Sequence, residues 1–313
     1  MSNTEDFRPQ VIVIGAACVD IKGQALQPLE PGTSNPGEIR ISVGGVGRNI
    51  AESLGRLDVP VSLISAVGDD DWGRSILRRT KRGGVDVRRV LICEGQRSAA
   101  FITVMDEKGE RLASLDSVDL MSCITGRYLF ERRSLFKEAS TVIIDGNISE
   151  PALKVLLKLC QQYNLPIVLD PTTAVLARRL RPYLHHFYMV TPDAAEAEAL
   201  SGLTIQSELD ALRAAQAIVA AGVEIAIVTL AERGCLYATS ETSGRVPAIR
   251  TEVVDRTGGG DALTAAVVFG IINDFPIDEA IRLGVAAAAL TIGCKESVCP
   301  ALSLEALYDA MTL

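Results

Sequence analysis

The stretch Thr257-Gly258-Gly259-Gly260-Asp261-Ala262 sets three glycines directly ahead of a carboxylate. An apolar run follows: Ala262, Leu263, Ala265, Ala266, Val267, Val268, Phe269. The run predicts a buried helix that starts at or just after the glycines. Glycines let backbone approach a ligand with several N–H groups aimed one way. A helix N-terminus adds unpaired N–H groups and the positive end of its dipole. Together they suit a phosphate, or the charge spread over a phosphoryl group in transfer. Asp261 is badly placed to bind phosphate, whose charge repels it. It is well placed to take the proton of a hydroxyl that attacks one. From this stretch alone, a glycine-rich turn capped by an ordinary aspartate reads equally well.

Other residues could serve the same chemistry. Asp20 follows the apolar run Val11 to Ile14 and Gly15-Ala16-Ala17. It is expected at the carboxyl end of that strand, where open α/β sheets bind ligands. Gly44-Gly45-Val46-Gly47-Arg48-Asn49 opens a helix expected to reach about Leu57, with Asn49 facing the same place from its first turns. In Thr191-Pro192-Asp193-Ala194-Ala195-Glu196, Asp193 reads as a helix N-cap and Glu196 lies one turn along on the same side. Two acids near a phosphate site could hold Mg²⁺ through water. Thr229 to Gly234 reads as a strand end, a turn and a glycine, a weak signal by itself. His185 and His186 have no zinc-ligand spacing and read as structural or surface groups. The P-loop pattern, the protein-kinase set, Gly-x-Ser-x-Gly and a full Gly-x-Gly-x-x-Gly are all missing from the sequence.

The elements that must position these residues alternate regularly. Strands are expected at Val61 to Val67, Thr141 to Ile144, Ile167 to Leu169, Phe187 to Val190 and Glu224 to Thr229. Helices are expected near Glu150 to Gln162, Asp193 to Leu200, Glu208 to Ala221, Ala262 to Ile272, Asp278 to Ile292 and Ser303 to Met311, with another capped at Gly68 to Asp71 and reaching about Arg82. This predicts an α/β fold, a doubly wound, mostly parallel sheet flanked by helices. Residues 23–37 read as irregular. Ile39 to Val43 alternates, and Val90 to Val118 breaks into short strand-like pieces around the turn Asp106 to Gly109. The two stretches, about 20–43 and 90–118, are expected to form a small sheet inserted in a single domain spanning 1–313.

With 313 residues, 48% hydrophobic, the chain has ample core for one large domain or two smaller ones. A net charge of −8 argues against a nucleic-acid polymer as partner. Short clusters such as Arg78-Arg79 and Arg178-Arg179 read as solvated helix faces. Seven scattered cysteines without a Cys-x-x-Cys pair fit reduced thiols in a cytoplasmic protein. Met1 to Gln10 is polar, without the apolar core of a signal peptide, and the Gly284 to Ile292 run is too short for a membrane span.

As a set, these motifs resemble the ribokinase-like family of carbohydrate and nucleoside kinases over essentially the whole chain. Gly44, Gly45 and Asn49 match its N-terminal signature. Asp255 and Thr257 to Asp261 match its C-terminal Asp-Thr-x-Gly-Ala-Gly-Asp type, with Gly259 in place of the usual Ala. Asp193 and Glu196 match Asn-x-x-Glu in part, Asp193 replacing the usual Asn. The resemblance implies transfer of the γ-phosphate of ATP to a hydroxymethyl group under a β-sheet lid, and a homodimer made through that lid. It implies Asp261 as base, with Gly258, Gly259 and Gly260 N–H groups stabilising the phosphoryl group. Asp20, Gly44, Gly45, Asn49 and Asn147 would line the acceptor, and Asp193, Thr229, Gly234 and Thr257 the nucleotide. Glu196 would hold Mg²⁺ through water, and Asp255 with the Thr257 carbonyl would hold K⁺. Within the family, Gly44 to Ala51 with Arg48, Leu63 to Asp69 and Asn147 to Glu150 look most like the branch acting on pseudouridine. Ribose or another nucleoside are the alternative acceptors, and a non-catalytic sugar- or nucleotide-binding regulator is the rival outside enzymes. In the pseudouridine reading, Ser98, Thr103, Asp116 and Ser117 are expected to offer hydrogen bonds to a uracil ring.

Overall fold

The computed structural model describes residues 10–312. All of Met1 to Gln10 except Gln10 lies outside the described residues. The strands are β1 (Val11–Ile14), β2 (Cys18–Ala25), β3 (Gly37–Gly44), β4 (Val61–Gly68), β5 (Val90–Cys93), β6 (Ala100–Met105), β7 (Arg111–Ser117), β8 (Thr141–Asp145), β9 (Ile167–Asp170), β10 (Met189–Val190), β11 (Ile225–Thr229), β12 (Cys235–Ala238) and β13 (Ser243–Val246). The α-helices are α1 (Val46–Arg56), α2 (Asp71–Arg82), α3 (Gly126–Glu131), α4 (Arg133–Glu138), α5 (Glu150–Tyr163), α6 (Ala174–Leu180), α7 (Ala194–Ser201), α8 (Glu208–Ala220), α9 (Gly259–Ile272), α10 (Ile277–Ile292) and α11 (Leu304–Thr312).

Nine strands form one sheet in the order β13-β12-β11-β10-β9-β8-β1-β4-β5. From β5 to β11 every pairing is parallel, and β12 and β13 add antiparallel edge strands. Strand β1 shows why the apolar runs carry no alternation. Ile12 and Ile14 join a core shared with α5 to α8, while Val11 and Val13 join a second core shared with α1, α9, α10 and α11. Both faces are covered, so both sets of side chains are apolar. The doubly wound fold is therefore as expected. The winding reverses between β1 and β8, and that reversal opens a crevice at the strands' carboxyl ends.

The second sheet has the order β3-β2-β6-β7, with β2 and β6 parallel and the other pairs antiparallel. Its composition differs from the expectation in two places. Val90–Cys93 pairs with β4 at the edge of the main sheet, so the small sheet resumes only at Ala100. Residues 23–25, read as irregular, continue β2, because Gly23, Gln24 and Ala25 stay in register with Ile39, Glu38 and Gly37. Register also sorts its faces. Asp20, Lys22, Ser42, Phe101 and Thr103 share one side, and Ile21, Ile39, Ile41, Ile102 and Leu115 the other. Near its base the apolar side is closed by Ile76 of α2 against Val19 and Val43. Farther out it is open, with Ile39 74% and Leu115 72% exposed.

Candidate active site

Helix α9 begins inside the glycine run rather than after it. Gly258 is the N-cap at φ 84°, and Gly259, Gly260 and Asp261 form the first turn. A side chain at Gly258 would meet that unfavourable φ and also collide with the Ser297 carbonyl oxygen. Gly260 is different: outside its chain neighbours and its own helix backbone, no protein atom lies within 4 Å of where its Cβ would stand. The first intrahelical bond runs from Ala262 N–H to the Gly258 oxygen at 2.9 Å. Helix geometry therefore leaves the preceding N–H groups without helical partners, and the space in front of Gly260 is open to a ligand.

Asp261 is buried, and Asn49 holds it: Nδ2 donates to Oδ2 at 2.7 Å. Asn49 is itself fixed, its Oδ1 accepting from Arg48 Nη1 at 2.8 Å and from Ser297 Oγ at 3.2 Å. Orienting the carboxylate is thus a role of Asn49 beyond the acceptor contact expected of it. Burial pushes the Asp261 carboxyl up to about 7, with the charges of Asp20 and Asp145 adding to the rise and the Asn49 hydrogen bond opposing it.

Arg48, on α1, faces the interior. It is buried, donates to the Val43 carbonyl at 3.0 Å and pairs with Glu52, which also takes Arg56 at 2.7 Å. Burial lowers its pKa to about 9, which leaves it charged at neutral pH. Asp20 is also placed differently from expectation. It belongs to β2 of the small sheet, because Gly15-Ala16-Ala17 lead the chain out of the main sheet after β1. It is buried, and the Cys18 thiol donates to it at 3.4 Å. Burial raises its pKa despite that bond and the charges of Lys22 and Arg48. A side chain at Gly44 would collide with its carboxylate.

On the far side of Asp261, Asp193 and Glu196 form a reciprocal cap. Glu196 N–H donates to Asp193 Oδ1 at 2.8 Å, and Asp193 N–H donates to Glu196 Oε2 at 2.9 Å. Burial, then the Asp193 charge, lifts Glu196 to about 7, and Asp261 adds to the rise. Asp193 bridges in parallel to Thr229 at the end of β11. Gly234 closes the turn into β12, where a side chain would strike the Val246 carbonyl. Asn147 lies in the turn after β8, its N–H bonded to Asp145 Oδ1 at 2.9 Å. Ser98 is taken up elsewhere: its hydroxyl donates to Asp70, the N-cap of α2, at 2.6 Å and accepts from Gly68 N–H at 3.0 Å.

Sequence reading missed four residues here. Asp145 ends β8 and accepts from Ala16 N–H at 2.6 Å and Gly47 N–H at 3.1 Å, tying the end of β8 to the segment after β1 and to the first turn of α1. Asp170, its register partner, ends β9. Burial raises both, and the charges of Asp261 and Glu196 push Asp170 further. Their signal was an acid closing an apolar strand at both Asp145 and Asp170. Ser297 and Lys22 carried no local signal. Lys22 Nζ lies 2.7 and 2.5 Å from the two Asp255 carboxylate oxygens and 2.5 Å from Thr257 Oγ1.

The site combines a helix N-terminus with open space in front of it, a held and elevated carboxylate in its first turn, and neighbouring acids. Among the described residues no three His, Cys, Asp or Glu side chains converge as direct metal ligands. A cation bridging Glu196 to a phosphate through water fits this donor set, since it would offset both the burial of Glu196 and the Asp193 and Asp261 charges that add to its rise. The helix end fits a polyphosphate equally.

A family model described as pfkB family carbohydrate kinase matches residues 8–302. A pseudouridine kinase of Escherichia coli (strain K12) is 32% identical over 295 residues, covering 94% of each chain. A guanosine-inosine kinase of Exiguobacterium acetylicum is 31% identical over 300 residues, 95% of this chain and 99% of the relative. Among solved structures, an Arabidopsis thaliana ribokinase complexed with ribose and ATP superposes with a TM-score of 0.85 at 19% identity, over 98% of this chain and 99% of that one. The last likeness concerns the fold.

Proposed function

The chain belongs to the pfkB family of carbohydrate kinases, and from that premise we propose that it transfers the γ-phosphate of ATP to the 5′-hydroxyl of pseudouridine. As a family member it is a sugar or nucleoside kinase, a phosphotransferase with an alcohol acceptor. The observation that carries the reading is Asp261: buried, elevated to about 7 and in the first turn of a helix whose N-terminus is open to a ligand.

In this reading the acceptor lies between Asp20, Asn147 and Asp261, and the triphosphate runs from the N-terminus of α9 past Asp193 toward Thr229 and Gly234. Asp261 takes the hydroxyl proton as the oxygen attacks the γ-phosphorus. The O–P bond forms, the bond to the β-phosphate oxygen breaks, and ADP leaves. N–H groups of Gly258, Gly259 and Gly260 stabilise the charge on the transferring group. Glu196 would hold Mg²⁺ through water, and the ion would neutralise developing phosphate charge. Asn49 keeps the Asp261 carboxylate pointed at the acceptor. The chain acts in the cytoplasm as a single kinase domain whose small sheet serves as a lid, and the open apolar side of that sheet pairs with a second copy.

Pseudouridine as acceptor is supported by the relative at 32% identity and by Arg48 and the Asn147 to Glu150 turn. A purine nucleoside is the second reading, favoured by the nearly equal likeness to the guanosine-inosine kinase. Thr103 and Asp116, on the same side of the small sheet as Asp20, remain the lid residues proposed to reach the base, whereas Ser117 shares the opposite side with Leu115. Competition among pseudouridine, uridine, inosine and ribose at equal concentration, followed by ADP release and product identification, decides. Pseudouridine should win in kcat/KM. A preference for ribose or inosine would replace the acceptor and leave the role of Asp261 standing.

A further inference from the structure

The resemblance places a free monovalent cation at Asp255 and the Thr257 carbonyl, and the side chains present do not fit one. Both Asp255 oxygens face the Lys22 ammonium at 2.7 and 2.5 Å, and Thr257 Oγ1 lies 2.5 Å from it. The ammonium's three donors thus have three oxygen acceptors. Asp255 Oδ1 accepts from Thr257 N–H at 2.9 Å as well. The pair is shielded, with Lys22 15% and Asp255 21% exposed, so a second cation would meet a carboxylate already neutralised and an ammonium that repels it. The two partners come from separate parts of the fold. Lys22 lies on β2 of the small sheet, whereas Asp255 and Thr257 lie on the connection from β13 to α9, directly before the N-cap Gly258. That connection is held from its other side by N–H groups of Val254 and Asp255 on the Ile292 carbonyl at the end of α10.

We propose that Lys22 is a tethered cation: its ammonium replaces a free monovalent ion at Asp255 and makes the shape of the anion-binding loop depend on the seating of the small sheet. The loop before Gly258 must be fixed for the first N–H groups of α9 to stay aimed, and a charge at Asp255 fixes it. Here the charge is covalently attached to the sheet that carries Asp20. When the sheet lifts, the loop loses its counterion, so acceptor seating and phosphate binding are coupled through one side chain. The effect on turnover rests on the kinase reading above. The exchange of a lysine for an ion does not.

The test compares wild type with Lys22→Met in KCl and in tetramethylammonium chloride at equal ionic strength, by thermal melting and by ADP release. Wild type should show the same Tm and the same kcat in both salts. Lys22→Met should melt lower and turn over about tenfold slower in tetramethylammonium, within the range that coupling between sites spans, and recover both in K⁺. Melting reads the ion site without any acceptor. Absence of ADP release with every acceptor would therefore count against the kinase reading alone. A wild type activated and stabilised specifically by K⁺ overturns the proposal, and needs no variant to fold. So does a Lys22→Met protein that is weakened but indifferent to K⁺, which would make Lys22 a plain latch.

Discussion

The proposed role of Asp261 as base draws on position and burial together. Asp261→Asn keeps the shape and the Asn49 neighbourhood but cannot accept a proton, so kcat should fall by roughly 10²–10⁴ while ATP and acceptor still bind. Retention of most of the wild-type kcat would remove the residue from the chemical step. The elevated carboxyl also fixes the pH behaviour. With a pKa raised to about 7, Asp261 is protonated and idle below that value and ionised above it. In the free enzyme, kcat/KM should drop about tenfold per pH unit on the acid side and level off above. The residual activity of Asp261→Asn should lose that slope, and an identical acid limb in both proteins would assign it to another group, Glu196 first. At this scale legibility followed contiguity. Gly258, Gly259, Gly260 and Asp261 announce themselves because helix end and carboxylate are consecutive in the chain. Asp145, Asp170 and Ser297 do not, because an acid ending a strand or a lone serine looks the same wherever the fold carries it. Asp193 was legible as a cap, and its reciprocal bonds with Glu196 bear that out.

Among the elements, α1 bears a load that its sequence disguises. Arg48 and Glu52 are charged yet buried and paired, and Arg48 ties the helix to Val43 and Ser297. Glu52→Ala would leave the Arg48 guanidinium buried without its carboxylate, and breaking such a pair costs about 3–5 kcal/mol. Urea unfolding of the variant should register a loss of that order, and a loss under about 1 kcal/mol would mean the pair behaves as a surface one. The element reading succeeded wherever apolar runs were long: β4, β8, β9 and α5, α8, α9 and α10 lie within a few residues of expectation. It failed at β2, where glycine and glutamine hide a strand whose ladder is supplied by β3 and β6, and at β12 and β13, which are too short to show a period.

For the whole molecule, the small sheet decides the outward behaviour. One side carries Asp20 and Lys22 toward the crevice. The other leaves Ile39, Ile41 and Leu115 at 74%, 63% and 72% exposure, an apolar surface that a monomer rarely leaves open. If two copies pair there, sedimentation should show a dimer, and Ile41→Lys with Leu115→Lys should yield a folded monomer, since an ammonium on that face is costly only when it is covered. An unchanged dimer would put the interface elsewhere. Strands β1, β4 and β8 to β11 of the main sheet were legible from the alternation of strand and helix. Membership of Val90–Cys93 was not, since an apolar tetrapeptide fits either sheet and only pairing with β4 assigns it.

The spatial order of the strands also has a meaning in time. Strand β1 meets β4 early during synthesis, but its other neighbour, β8, emerges only with Thr141–Asp145. Asn49 waits longer still, for Asp261 and then for Ser297, the residue that fixes its amide. A ribosome therefore releases Gly44 and Gly45 long before Asp261, and Asp261 before Ser297. Pairings so distant in sequence form late, so an unfinished or truncated chain holds no oriented carboxylate beside an anion-binding helix end. Such a chain has no means of directing a phosphoryl group at an acceptor or, by default, at water.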